Sequence, residues 1–336
     1  MKKAISIFLV IVMMLALASC GKKVTTDNDT PNPSPEEYKS VDINVATLAG
    51  PTGIGMVKLM DKQKNGQTAN NYNFTLCSDP ATEVVPGVVS GNFQIASVPV
   101  NLASALYNKT NGGVQILAVN TAGVLYILEN GNEINSFADL AGKTVYATGQ
   151  GSTPEYILNY LLEKNGLTDK VTVEYESSQS HDELAAKAAS GKVSIAMLPE
   201  PKVTATLMQN SDMRIALDLT KEFESATNLT LIQGCVIARK DFCEKNPEAV
   251  KKFLAEYKES IEFAVNNVDD TAALCEEFSI IPKAAIAKKA IPNCNIVFIT
   301  GEDMKKSVSA NLQIFFDADP TSIGGKMPTD DFYYAK

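Results

Sequence analysis

Several short stretches place hydroxyls, amides and one carboxylate where a small polar molecule would be recognised rather than transformed. Thr52-Gly53 and Ser152-Thr153 each set a small hydroxyl residue beside a glycine-rich turn at a predicted helix start. Unpaired backbone N–H groups and partial positive charge collect there. Each pair reads either as a ligand contact or as a plain N-cap. Ser97-Val98-Pro99-Val100-Asn101 and Met197-Leu198-Pro199-Glu200-Pro201 occupy equivalent predicted strand ends. Glu200, between two prolines, suits a ligand amine, ammonium or protonated ring nitrogen; it suits equally a cap for the helix that follows. Asn120-Thr121, at another strand exit, and Gln233, beside Gly234, add further amide and hydroxyl groups.

The same residues offer little for catalysis. His181 is the single histidine and stands in Ser178-Gln-Ser-His-Asp-Glu, which reads as the exposed start of a helix. Glu36-Glu37 and Glu276-Glu277 are adjacent pairs, which do not face each other on a helix. Gly50–Gly55 is followed by Met56-Val57 where a phosphate loop needs Lys-Ser/Thr, and Gly149-x-Gly151-x-x-Pro154 fails the dinucleotide pattern at its last position. No Cys-x-x-Cys pair or zinc spacing is present, so neither metal nor cofactor is expected. Cys77, Cys235, Cys243, Cys275 and Cys294 read as small buried hydrophobes, with a disulfide left open. Without tryptophan, stacking falls to Tyr107, Tyr126 or Tyr156.

The elements that position these groups come in two copies. Ser90-Gly-Asn-Phe-Gln-Ile-Ala-Ser-Val-Pro99 recurs as Ser190-Gly-Lys-Val-Ser-Ile-Ala-Met-Leu-Pro199. The same offset of 100 aligns Lys64-Asn65-Gly66 with Lys164-Asn165-Gly166, Val45 with Val145, Ser78 with Ser178 and Glu83 with Glu183. A fixed offset held over residues 45–99 means one α/β unit built twice. Two such lobes facing each other leave a cleft. Strands are predicted at Val41–Leu48, Tyr72–Cys77, Gln94–Val98 and Val114–Val119, then at Thr144–Ala147, Val171–Tyr175 and Ile195–Leu198, with helices between them. That alternation predicts parallel, helix-covered sheets. Val124–Leu128 and Leu229–Ala238 suit crossing strands that form a hinge. Asn246-Pro247-Glu248 opens a long helix with Val250, Phe253, Leu254, Tyr257, Ile261 and Ala264 on one stripe. Further helices are predicted near Asp269–Glu277, Pro282–Ala290 and Gly301–Phe316.

The amino terminus carries an address. Lys2-Lys3 precede an apolar run from Ile5 to Leu17, the length of a signal-peptide core and short for a membrane span. Leu17-Ala18-Ser19-Cys20 resembles the bacterial lipobox, which implies cleavage before Cys20 and a diacylglycerol on its thiol. The alternative is an ordinary secretory signal that contains a cysteine. Residues 21–40 are polar and hold Pro31, Pro33 and Pro35, so they read as a disordered tether about 65 Å long when extended. The organisation is then signal peptide 1–19, lipidated cysteine and tether 20–40, first lobe 41–122, second lobe 123–230 and a return to the first lobe over 231–336. Without residues 1–19 the chain has 28 basic and 39 acidic residues, net −11, which argues against nucleic acid and anionic membrane surfaces as partners. Arg214 and Arg239 are its only arginines, so a guanidinium clamp on an anion is disfavoured.

Taken in order, Ser90-Gly91-x-x-x-Ile95-Ala96, Leu198-Pro199-Glu200-Pro201, Asn246-Pro247-Glu248 and Ser322-Ile-Gly-Gly-Lys-Met-Pro328 resemble the lipoprotein solute-binding components of ABC importers. The closer likeness is to the nitrate/sulfonate/taurine family, which includes binders of thiamine-pyrimidine precursors. The resemblance implies an α/β periplasmic-binding-protein fold, two Rossmann-like lobes joined by crossover strands around a ligand cleft. It also implies hinge closure over a small molecule (a sulfonate, a nitrogenous heterocycle or similar) and delivery to an ABC permease by a lipid-anchored monomer on the extracytoplasmic face. A surface sensor or adhesin on the same fold is the alternative. A catalyst of the pyrimidine-synthesising kind would need a cysteine-rich segment and a cofactor lysine that are not found in this sequence.

Overall fold

Each copy of the repeat folds into a sheet of the same strand order. The computed structural model describes residues 38–177 and 180–335; the signal peptide, Cys20, residues 21–37 of the tether and Ser178 of the repeat lie outside them. Within the body Ser40–Lys336, the first lobe opens with β1 (Asp42–Leu48), α1 (Pro51–Ile54), α2 (Val57–Lys64), β2 (Asn71–Cys77), α3 (Val85–Ser90), β3 (Ile95–Pro99), α4 (Val100–Lys109) and β4 (Val114–Ala122). The second lobe holds β5 (Leu125–Asn130), β6 (Thr144–Ala147), α5 (Thr153–Lys164), β7 (Thr172–Tyr175), α6 (His181–Ala189), β8 (Ile195–Pro199), α7 (Lys202–Gln209), β9 (Met213–Asp218) and α8 (Leu219–Thr227). The chain then returns with β10 (Ile232–Arg239), α9 (Lys240–Lys245), α10 (Pro247–Asn266), α11 (Val268–Glu277), α12 (Ala284–Ala290), β11 (Ile296–Ile299) and α13 (Gly301–Ala318).

The first sheet has the order β11-β4-β10-β3-β1-β2 and the second β7-β6-β8-β5-β9. The repeat is visible in register: Ala46 faces Ala96 across β1/β3, and Tyr146 faces Ala196 across β6/β8. The all-parallel expectation fails at one strand type. β10 runs antiparallel to β3 and β4, and β5 antiparallel to β8 and β9. Each of these strands enters from the other lobe, starting where its neighbours' carboxyl ends finish, so it must run against them. β11, an edge strand of four residues antiparallel to β4, has too short a pattern to be read from sequence.

Period-2 alternation splits the second sheet cleanly. Leu125, Ile127, Val145, Ala147 and Met197 pack under α5 and α8, and Tyr126, Leu128, Ala196 and Leu198 under α6 and α7. The first of these clusters continues into the first lobe through Ala46, Ala96, Val98 and Ile237 and the α13 residues Val308, Leu312 and Phe315. The stripe on α10 is buried at Val250, Phe253, Tyr257, Ile261 and Ala264, and half-buried at Leu254.

All five described cysteines are buried, and none of them is joined to another in a disulfide. Burial pushes the Cys275 thiol up to about 12 and the Cys294 thiol well above its ordinary range. Thiolate is the reactive form, so these five thiols are expected to react with Ellman's reagent slowly in the native protein and fully in guanidinium. Stoichiometric labelling before unfolding would show the burial to be wrong. Among the described residues no helix is long and apolar enough to cross a membrane.

Candidate functional site

The topology fixes which strand ends meet. β4 ends at Ala122 and β5 begins at Leu125, so the carboxyl end of β4 lies at the junction of the lobes. β1 and β3 run parallel to β4, being themselves parallel and both related to it through antiparallel β10. In the second lobe β8 opposes β5, and β6 and β7 follow β8. With β2 parallel to β1 and β9 antiparallel to β5, the carboxyl ends of eight strands, four in each lobe, therefore face one interface, as do the amino ends of β5 and β10. In open α/β sheets such ends line the ligand crevice.

Hydrogen bonds span this interface. Thr153 Oγ1 donates to Asn101 Oδ1 (3.2 Å), Tyr156 OH to Asp319 Oδ2 (3.1 Å) and Tyr126 OH to the Asn293 carbonyl (2.9 Å). Asn293 Nδ2 donates to Glu200 Oε1 (3.3 Å), and Asn295 Nδ2 to the Gly123 carbonyl (2.6 Å). Residues 293–295 thus strap the first lobe to the hinge. Burial and the bond to Asp319 raise the Tyr156 phenol to about 12, and burial raises that of Tyr126, with Asp218 and Glu200 adding to it. Both tyrosines stay protonated donors.

The expected ligand residues separate into those held at the interface and those spent on structure. Asn101, Ser152, Thr153, Thr52 and Gln233 stand at the interface, with Gln233 Oε1 buried and without a protein donor. Ser152 Oγ donates to the Gly149 carbonyl (2.7 Å). Ser97 is fully buried, its Oγ without a partner, as is Thr47 Oγ1 on the neighbouring strand. Asn120 and Thr121 form a closed set: Asn120 Nδ2 donates to the Thr52 carbonyl and to Tyr257 OH, and Asn120 Oδ1 accepts from Thr121 Oγ1. Gly234 admits them, since a Cβ there would stand 2.9 Å from Asn120 Oδ1 and 3.0 Å from Thr52 Cγ2. Two expectations are corrected. Val98 is a core residue whose side chain belongs to the hydrophobic cluster, because period-2 alternation points it away from Ser97. Gly53 is buried and its N–H is taken by the Gly50 carbonyl (3.0 Å), because α1 is only four residues long.

Glu200 resolves toward the cap. Its carboxylate, 1% exposed, accepts from Thr204 N (3.1 Å) and Thr204 Oγ1 (3.0 Å) in the first turn of α7. Burial raises its pKa against the pull of these bonds. A raised folded-state pKa contributes stability that is full below the unfolded value of about 4.3 and is lost as pH rises through the folded one. Urea unfolding of Glu200→Gln should accordingly show a flatter stability profile above that pH than wild type. An unchanged slope would place the proton elsewhere. His181 is likewise corrected: it is half-buried, not solvated, with Nδ1 against Thr148 Oγ1 and its pKa lowered by burial. Sequence reading missed Tyr175, whose buried OH has no partner, and the Asn293 strap. The strap contacts residues about ninety or more positions away, and no local pattern signals it.

A separate groove of about 650 Å³ lies beside Leu117, Leu254, Phe298 and Tyr333, away from these strand ends. Among the described residues no group of three His, Cys, Asp or Glu could hold a metal ion.

Comparison with known proteins agrees with the two-lobed architecture. Residues 113–271 match the family model described as NMT1/THI5 like. Proteins described as binding proteins in Brucella abortus and Brucella suis are 25% identical over 240 residues, 69% of this chain and 72% of theirs. A Parabacteroides distasonis structure described as an ABC transporter superposes with a TM-score of 0.75 at 24% identity, over 88% of this chain and 99% of that one. The periplasmic aliphatic sulphonate binding protein SsuA of Escherichia coli gives 0.68 at 15%, over 87% and 92%. The chain therefore has the periplasmic-binding-protein fold and carries, over residues 113–271, an NMT1/THI5-like segment.

Proposed function

We propose that this protein is an extracytoplasmic solute-binding receptor that captures a small molecule between its lobes and delivers it to an ABC permease. The observation that carries the reading is the convergence of eight strand carboxyl ends and both chain crossings on one interface. Lobes 41–122 plus 231–336 and 123–230 close about the two crossings. Thr52, Asn101, Ser152, Thr153 and Gln233 provide polar contacts, and Glu200 positions the hinge rather than the solute. The relatives described as binding proteins and ABC-transporter components support this reading. Cys20 carries the lipid anchor and the protein acts as a monomer.

Two measurements test it. Small-angle scattering on adding solutes extracted from the host should show a fall in radius of gyration. A receptor that binds without compacting would favour the sensor or adhesin alternative. Cys20→Ala should move the protein from the membrane to the soluble fraction and abolish its labelling by an alkyne fatty acid; continued membrane association would reject the anchor.

A further inference from the structure

We infer that the cleft takes a solute that carries an N–H donor and no net negative charge, an inference that rests on the receptor reading above. Sulfonate is the chemistry named for a structural neighbour, yet an anion of that kind needs cationic or strongly donating groups around it. Neither arginine is in reach. Arg239 ends β10, about 23 Å along the strand from the interface, where it donates to the Val88 carbonyl (2.8 Å) and pairs with Asp241. Arg214, the second residue of β9, also lies at the far end, and donates to Glu129 and to the Gly131 and Ile134 carbonyls.

The lysines beside the strand ends are already matched. Among the described residues Lys187 pairs with Glu176 and Glu183, Lys202 with Asp182 and Lys221 with Asp218. Glu155 and Glu200 add two carboxylates with no cation in their hydrogen bonds. The side-chain charge that these groups bring to the interface is therefore neutral to negative.

Gln233 supplies the direction. Its Oε1, a group that can only accept, is buried at the amino end of β10 with no protein donor. A buried unpaired acceptor costs free energy until a donor arrives. The Tyr175 hydroxyl, on the last residue of β7 and also buried and unpartnered, can donate or accept and so serves whichever polar atom the solute presents.

The test uses the full chain in detergent and three probe pools matched in carbon skeleton: primary amines, primary carboxamides and sulfonates. Saturable rises in Tm are expected with amines and carboxamides and not with sulfonates. Gln233→Glu, which keeps an acceptor in either orientation of the amide, should tighten the amine response about tenfold. A sulfonate response stronger than the other two overturns the inference. So does loss of the amine response in Gln233→Glu, which would mean the amide donates. No response to any pool, with scattering unchanged by host extract, takes down the receptor reading and this inference with it. Scattering that compacts only on adding an anionic solute overturns this inference and leaves the receptor standing.

Discussion

Arg214→Met is expected to lower the unfolding free energy by about 3–5 kcal/mol, because it strands a buried carboxylate. Glu129 is only 4% exposed at the end of β5. It accepts from Arg214 Nη2 (2.7 Å) and from the backbone N–H groups of Glu133 (2.8 Å) and Ile134 (3.1 Å). Those two amides satisfy lone pairs without neutralising charge; the guanidinium does that. It also closes the turn after β5 by donating to the Ile134 carbonyl (2.5 Å). Urea denaturation of Arg214→Met reads the loss, and Arg214→Met with Glu129→Met should recover most of it, since an apolar pair leaves no orphan charge. A loss under about 1 kcal/mol would mean the pair behaves as a surface ion pair. The same variant should leave solute binding unaltered, as Arg214 sits at the far end of its strand from the interface.

That placement shows how far charge can be read from a linear chain. The scarcity of arginine is visible in the composition; its two positions at distal strand ends are visible only once β10 and β9 have directions. The repeat was legible because each strand pair at the 100-residue offset packs the same way, down to the Ala46–Ala96 and Tyr146–Ala196 pairings. Asp79 before Pro80 shows how local a cap signal is: its Oδ1 takes the N–H groups of Ala81 and Thr82, two and three residues on. Glu200 and His181 were not. Whether a carboxylate or an imidazole at a strand end faces solvent or a neighbour depends on what the other lobe lays over it, here Asn293 in one case. Antiparallel β5 and β10 were hidden similarly, since an apolar run carries no arrow. Their direction follows from crossing between lobes.

The crossings also make Gly123 the most constrained point of the hinge. A Cβ added there would stand 2.3 Å from Thr220 Oγ1 and 2.7 Å from Leu231 Cδ2, wedged between the link into β5 and the link into β10. Gly123→Ala should therefore cost about 1–3 kcal/mol, the usual range for overpacking. The nearest obstacle is a hydroxyl that has no hydrogen-bond partner, so Thr220→Ala alone should be close to neutral. Combined with Gly123→Ala it should return much of the loss, leaving a positive coupling in the double-mutant cycle. Additive losses would instead assign the clash to Leu231 or to the backbone. If Gly123→Ala proves silent, the two crossings have room between them, and the hinge must lie further along the chain, at residues 228–231.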